Sequence, residues 1–319
     1  MALVQVLIFI TSSIFLSLSG KWLVDSLSSI AKFLGWKEFV VAFFLVAISV
    51  SIPNFFVGIV SALNKIPELS LGDVIGGNII DLTLAPGISA LISKMGLSAP
   101  SRTVQNSAIF LILISVFLLI LISDGILSRA DGLLLIFSFL GYIFWLFSKE
   151  ERFKKTYSDN GEKIGLKIFF KKLGKFFLST ILLLVSAQGV VESAKFFGNY
   201  LNLNLGWVGL LIVAIGNALP ETFFSIQSAR KNQDWLILGN LIGSVVVSAT
   251  LVLGTVSLLC PILVFDFSAI LAGRIFLILS ALFFFFALRT GHKITKKEAI
   301  FLLLTYFSFL LIEIFLKSL

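Results

Sequence analysis

Residues 38–87 and 205–254 are two copies of one pattern, aligned without a gap at a constant offset of 167 residues, as from Pro53 to Pro220. Ala47 falls on Ala214, Ser61-Ala62 on Ser228-Ala229, Leu71-Gly72 on Leu238-Gly239, and Ile75-Gly76 on Ile242-Gly243. Thr83-Leu84 and Gly87 fall on Thr250-Leu251 and Gly254. Matches among apolar residues carry little weight, but prolines and glycines in register are hard to obtain by chance. The chain is an internal duplication, and any fold it adopts has to build the same unit twice.

Each copy holds two apolar runs of helix length that are interrupted at mid-depth. The second copy carries Gly216, Asn217, Pro220 and Glu221 on one run, and Gly239, Asn240, Gly243, Ser244 and Ser248 on the next. With 58% hydrophobic and 13% charged residues and a mean hydropathy of +1.06, the chain reads as an integral membrane protein. Polar interruptions at membrane depth are tolerated only where they face protein or a water-filled cavity, so these runs are expected to line a central site. The net charge of +8 reports orientation in the membrane and not nucleic-acid binding.

Roughly 20 apolar residues per span place helices near 3–33, 38–63, 70–93, 104–123, 127–147, 166–198, 205–229, 235–260, 267–288 and 298–316. The expected fold is an all-α polytopic membrane protein, with ten transmembrane helices as two inverted five-helix repeats. Its units are 1–148, a segment 149–175 comprising a linker and the start of the sixth helix, and 176–319. Lys65, Arg129, Lys195, Arg274 and Lys317 fall on one side with the termini; all other Lys and Arg fall on the other. The positive-inside bias therefore puts both termini outside and the polar linker SKEERFKKTYSDNGEK in the cytoplasm, expected of a prokaryotic cell membrane. An odd number of spans per copy makes the copies inverted, so their broken helices meet near the midplane. The N-terminal residues have no basic leader and read as the first span. Cys260, the one cysteine, reads as a packing residue, His292 as a solvated surface residue, and Glu313 as interfacial.

A proline inside a helix offers no N–H to the carbonyl four residues back, so Pro53 is expected to free Ser49 C=O and Pro220 to free Gly216 C=O. Freed carbonyls are cation ligands, as are the side chains around them: Ser51 and Asn54, Asn217 and Glu221, Asn78 and Asp81, Ser244 and Ser248. Asp81 follows Gly77 by four residues, as Ser248 follows Ser244, so each pair shares a helix face. Gly72, Gly76, Gly77 and Gly243 allow close helix contact or a bent entry to the site. Glu221 and Asp81 are the acids beside breaks and the central pair of the expected site. Asp25 and Glu192, equivalent at the same offset, are candidate gate or pathway groups.

These motifs resemble the alpha repeats of the calcium/cation antiporter superfamily, the sodium/calcium exchanger group, whose pattern is G-T-S-x-P-E followed by G-N-x-x-G-S-N-x-x-(N or D). The second copy reads GNALPE (Gly216 to Glu221) and GNLIGSVVVS (Gly239 to Ser248). The first reads SVSIPN (Ser49 to Asn54) and GDVIGGNIID (Gly72 to Asp81). The resemblance implies a ligand set that adds the backbone positions Ala47, Ala214, Ser49 and Gly216 to the side chains above. The family places glutamate after both motif prolines; here only Glu221 remains and Asn54 supplies an uncharged oxygen. Asp81 keeps the final position of the second motif, and Ser248 replaces its counterpart.

The resulting expectation is an alternating-access cation antiporter that binds Na+ and Ca2+, or H+, in competition at Glu221 and Asp81. It implies no cofactor, and its partners are inorganic cations and membrane lipid, with the oligomeric state left open. A monovalent cation/proton antiporter, a channel-like conductor and a non-transporting homologue are the alternatives. An enzyme is disfavoured by the lack of a His-rich metal motif, a nucleophilic Cys context or a phosphate-binding Gly loop.

Overall fold

The computed structural model describes residues 2–33, 51–99, 102–148, 166–232, 234–264 and 271–318. The first copy contributes α1 (Ala2–Phe33), α2 (Ile52–Leu63), α3 (Glu68–Leu82), α4 (Leu84–Ile92), α5 (Arg102–Leu121) and α6 (Arg129–Phe147). The second contributes α7 (Leu166–Leu201), α8 (Leu205–Val208), α9 (Ala214–Arg230), α10 (Asp234–Val247), α11 (Leu253–Leu259), α12 (Leu271–Arg289) and α13 (Lys296–Ser318). Short π-helical segments, Gly209–Val213 and Ser248–Val252, join α8 to α9 and α10 to α11. Among the described residues, eight helices are long and apolar enough to cross a membrane, or nine when the bent α8–α9 pair counts as one span. The expected second span, 38–63, is described only from Ser51.

Burial separates the helices by role. α3 is buried at nearly every position, and in α10 nearly every described side chain from Ile237 to Val247 is also buried. α1, α6, α7 and α13 expose large apolar side chains such as Leu3, Phe137, Phe177 and Leu311. In a membrane protein the second group faces lipid and the first forms the protein interior. α1 packs lengthwise on α7, while α3 lies against α8, the π segment after it, and α9.

Local chemistry repeats at the same offset of 167. Lys65 and Asn232 close the turns after α2 and α9 in left-handed backbone, with φ of 60° and 55°. Ser128 with Asp131 and Thr295 with Glu298 form reciprocal caps at the starts of α6 and α13, each acid accepting from the cap N–H at 2.8 Å. The spans carrying the second motif break at equivalent places: at Thr83 (φ −129°, ψ −68°) between α3 and α4, and in the Ser248–Val252 π turn between α10 and α11. In both, a threonine hydroxyl folds back on the helix, Thr83 to Ile79 O and Thr250 to Val246 O.

The two halves hold each other through exchanged contacts. β1 (Leu97–Ser98) pairs antiparallel with β4 (Lys293–Ile294), and β2 (Ile126–Leu127) with β3 (Ile262–Leu263). α4 packs on α13 at Gly87, where a Cβ would lie 2.8 Å from Leu303 Cγ; α11 packs on α6 at Gly254, where it would lie 2.8 Å from Ile136 Cγ1. Every one of these contacts joins an element of one half to an element of the other.

Two sequence expectations need revision or refinement. Glu313 is covered by protein: it is 2% exposed and its carboxylate accepts from the Gly273 N–H, because α13 packs its last turns against the start of α12. Pro53 sits in the first turn of α2, with Ser51 as the residue before the helix, a position where a missing N–H has no helical partner to lose. His292 is exposed, with Nδ1 2.7 Å from Gln105 Nε2, and Cys260 is half-buried.

Candidate cation-binding site

The site is built on a close crossing of α3 with residues 206–214. A Cβ on Gly72 would lie 1.9 Å from Gly206 O, and one on Gly76 would lie 2.0 Å from Leu210 O and 2.7 Å from Ala214 Cβ. From the other side, a Cβ on Gly209 would lie 2.2 Å from Leu69 O and 2.9 Å from Asp73 N. Only residues without side chains permit this backbone-on-backbone contact. It also lets polar groups of α3 reach those of α9 without intervening apolar bulk.

Polar contacts join the helices. Ser244 Oγ on α10 donates to Glu221 Oε2 on α9 at 3.0 Å. The Asp81 carboxyl of α3 neighbours both Ser244 and Glu221, so acids from the two halves lie side by side. Ser248 Oγ donates to Asn78 Oδ1 at 2.6 Å and to its own helix at Ser244 O, 2.8 Å away. Glu221, Asp81, Asn78, Ser244 and Ser248 are all buried. Asp81 Oδ1 and Asn78 Nδ2 have no hydrogen-bond partner among the described residues.

Two carboxylates side by side and buried repel each other unless positive charge lies between them. Their surroundings are hydroxyl and amide oxygens, a donor set that suits Na+ or Ca2+. The bend supplies further oxygens. The span is bent by 40° between Leu205–Leu219 and Glu221–Arg230, and Pro220 has no N–H for the Gly216 carbonyl.

The other expected site residues are distributed unevenly. Ser51 and Asn54 are buried at the start of α2, with Ser51 Oγ and Asn54 Oδ1 unpartnered among the described residues. Gly216 faces α1, where a Cβ would meet Phe9 and Ser13. Ala214 is the residue packed on Gly76, and Gly243 is half-buried on α10. A Cβ on Gly77 meets nothing within 4 Å, so the position equivalent to Ser244 is open. Ala47 and Ser49 lie outside the described residues. Asp25 is exposed on α1. Glu192 is exposed on α7, paired with Lys195 at 2.9 Å and accepting from Gln188 at 2.9 Å. Lys195 also donates to Asn64 at 2.7 Å, so this cluster braces α7 against the end of α2.

Asp73 is the functional candidate that motif reading missed. It is 1% exposed, and its Oδ2 accepts from Asn217 Nδ2 at 3.0 Å, one helical turn before Glu221. The signal was present as GDVIGG where the second copy reads GNLIGS, a carboxylate inside an apolar span.

A helical membrane protein whose acids converge at broken helices from two repeated halves has the architecture of a secondary cation transporter. The family model described as sodium/calcium exchanger protein matches residues 4–148 and 171–315, and the chain belongs to this family, whose members are secondary transporters and not enzymes. The sodium/calcium exchanger MaX1 of Methanosarcina acetivorans is 26% identical over 98% of this chain and 99% of its own length. The putative antiporter CaxA of Alkalimonas amylolytica is 25% identical over 96% of this chain and 98% of its own. A solved structure of the sodium-calcium exchanger NCX_Mj, soaked with Na+ and Sr2+, shares the fold with a TM-score of 0.63 at 24% identity, covering 96% of this chain and 97% of that one.

Proposed function

We propose that the chain is an alternating-access antiporter that exchanges Ca2+ for Na+ at a midplane site in which Glu221 and Asp81 are the charged ligands. Asn78, Ser244 and Ser248 complete the set from α3 and α10, with Asn54, Ser51, Asn217 and backbone carbonyls such as Gly216 adding oxygens. The observation that carries this reading is the juxtaposition of Asp81 with Glu221 and Ser244. One acid comes from each half, so relative movement of the halves changes access to a cation held by both. The relatives' names as exchanger and antiporter support the same reading.

The frame proposed for this cycle is ten spans in two inverted five-helix repeats, 1–148 and 176–319, with the termini outside and the 149–175 segment cytoplasmic. It is supported by the reciprocal contacts between halves and by the Lys and Arg distribution. In this frame Pro53, Pro220, Gly76 and Gly243 shape the breaks and crossings, Gly77 leaves its position open, and Asp25 and Glu192 lie on the approaches.

Reconstitution in sealed liposomes tests the function. An outward Na+ gradient drives Ca2+ uptake in the intact protein, and Glu221→Gln abolishes uptake while leaving the elution profile and thermal stability of a folded protein. Uptake undiminished in folded Glu221→Gln removes the shared-ligand assignment. Na+ movement coupled to a proton gradient, with no Ca2+ flux, replaces the reading with monovalent cation/proton antiport.

A further inference from the structure

Three pairs of repeat-equivalent positions in this site each contain one carboxylate and one neutral residue. Glu221 is matched by Asn54, Asp81 by Ser248, and Asp73 by Asn240. The acids are therefore not scattered, and the third of them has a local environment of its own. Asp73 lies within the close approach of α3 to the π segment, where a Cβ on Gly209 would lie 2.9 Å from the Asp73 amide nitrogen. Among the described residues its side chain bonds Asn217 Nδ2, at 3.0 Å, and its Oδ1 is buried with no hydrogen-bond partner.

That arrangement is costly unless something else binds there. An ionised carboxylate accepts at about four lone-pair positions, and one neutral amide does not repay burial of the charge. A neutral carboxylic acid costs less, but its O–H at Oδ1 still has no acceptor among the described residues. A cation satisfies both oxygens. Asn217, having used Nδ2 toward Asp73, has its Oδ1 as a neutral ligand. The adjoining π turn, in which Ala214 N–H bonds to Gly209 O, takes one carbonyl out of the i→i+4 ladder, a device recurrent at functional sites.

We infer that Asp73 and Asn217 form a second cation position, selective for a monovalent ion such as Na+, beside the Glu221–Asp81 pair. This rests on the antiport reading above and extends it. The charge of one carboxylate matches one Na+, whereas Ca2+ takes six to eight oxygens with several carboxylates among them, which the Glu221–Asp81 pair comes nearer to supplying. The mirror position has no such pair. Asn240 stands where Asp73 would, and Val50 where Asn217 would, so the second cation position belongs to one side only.

Equilibrium binding of radioactive Na+ to the purified full chain tests it directly, with radioactive Ca2+ binding measured on the same samples. Asp73→Asn, which installs the residue the second copy already carries, is expected to bind one Na+ fewer per protein than the unaltered chain. Asn217→Ala is expected to weaken binding of that same ion about tenfold or more, and it keeps the inference testable if Asp73→Asn fails to fold. Na+ stoichiometry and affinity unchanged in either folded variant overturn the inference, as does an unaltered chain that binds no Na+. Liposome Ca2+ uptake judges the antiport reading separately, so loss of Ca2+ transport with an Asp73-dependent Na+ retained leaves this site standing.

Discussion

Ser248 and Asn78 join the two motif helices through a 2.6 Å hydrogen bond between side chains 170 residues apart in sequence. The serine has a single hydroxyl hydrogen and a second acceptor at Ser244 O, 2.8 Å away. Rotating the Asn78 amide by 180° lets its NH2 donate to Ser248 while the hydroxyl serves Ser244 O, and turns Oδ1 toward the space now faced by the unpartnered Nδ2. Ser248→Ala removes the partner in either orientation. It is expected to cost about 1 kcal/mol, read as a lower thermal unfolding temperature in detergent, and to weaken cation binding without abolishing it.

The glycines of α3 are not equivalent. Gly72→Ala and Gly76→Ala put a methyl within about 2 Å of backbone oxygens of the crossing segment, where no side chain can move aside. Each is expected to lower stability by about 3 kcal/mol or more and to collapse expression of folded protein. Gly77→Ala, five residues from Gly72, meets no atom within 4 Å and is expected to keep or raise stability by up to about 1 kcal/mol through helix propensity. Equal losses at all three positions in a thermal unfolding series would contradict the crossing.

Asn54→Glu adds a carboxylate at the position matched to Glu221. Asn54 is already buried with its Oδ1 unpartnered, so the new charge is expected to be tolerated only with a cation present. The variant is expected to gain stability on adding Ca2+ by about 1.4 kcal/mol more than the unaltered chain, equivalent to tenfold tighter binding. Thermal unfolding across a Ca2+ titration measures it, and an unchanged Ca2+ response would place Asn54 away from the cation.

The exchanged ladders offer a test of how the halves pack. Ile126 and Leu263 are Cα partners in the β2–β3 pair, and both are 41% exposed. Opposed strand residues are close enough for a disulfide. In a Cys260→Ala background, Ile126→Cys with Leu263→Cys is expected to cross-link on mild oxidation. A protease site inserted in 149–165 then yields two fragments that migrate together without reductant and separately with it. Separate fragments in both lanes exclude this pairing.

Most of the frame was legible in the chain. Apolar run length located nine of the helices to within a few residues, from Ala2–Phe33 to Lys296–Ser318, because a bilayer sets a minimum length that periodicity alone does not. The offset of 167 aligns Thr83 with Thr250, but the helix breaks beside them are not legible in it; the breaks expected from sequence lie at Pro53, Pro220, Gly76, Gly77 and Gly243. The π segments were not legible, since Gly209–Val213 and Ser248–Val252 have no proline and ordinary helix-forming neighbours. Asp73 was also missed. The family pattern assigns its position a carboxamide, and only the structure puts it in contact with Asn217. The cover over Glu313 was not legible, because its nearness to the chain end says nothing about the α12 turn that buries it.

The ladders that clasp the halves are made of main-chain groups, such as Ala99 N–H to His292 O at 2.7 Å and Val264 N–H to Gly125 O at 2.8 Å. A clasp of this kind does not depend on which side chains it carries. One half can therefore exchange a glutamate for an asparagine, or a serine for a glycine, while the partnership between halves persists. In this molecule the groups that clasp the halves are main-chain N–H and C=O, a set of atoms separate from the side chains that differ between the two copies.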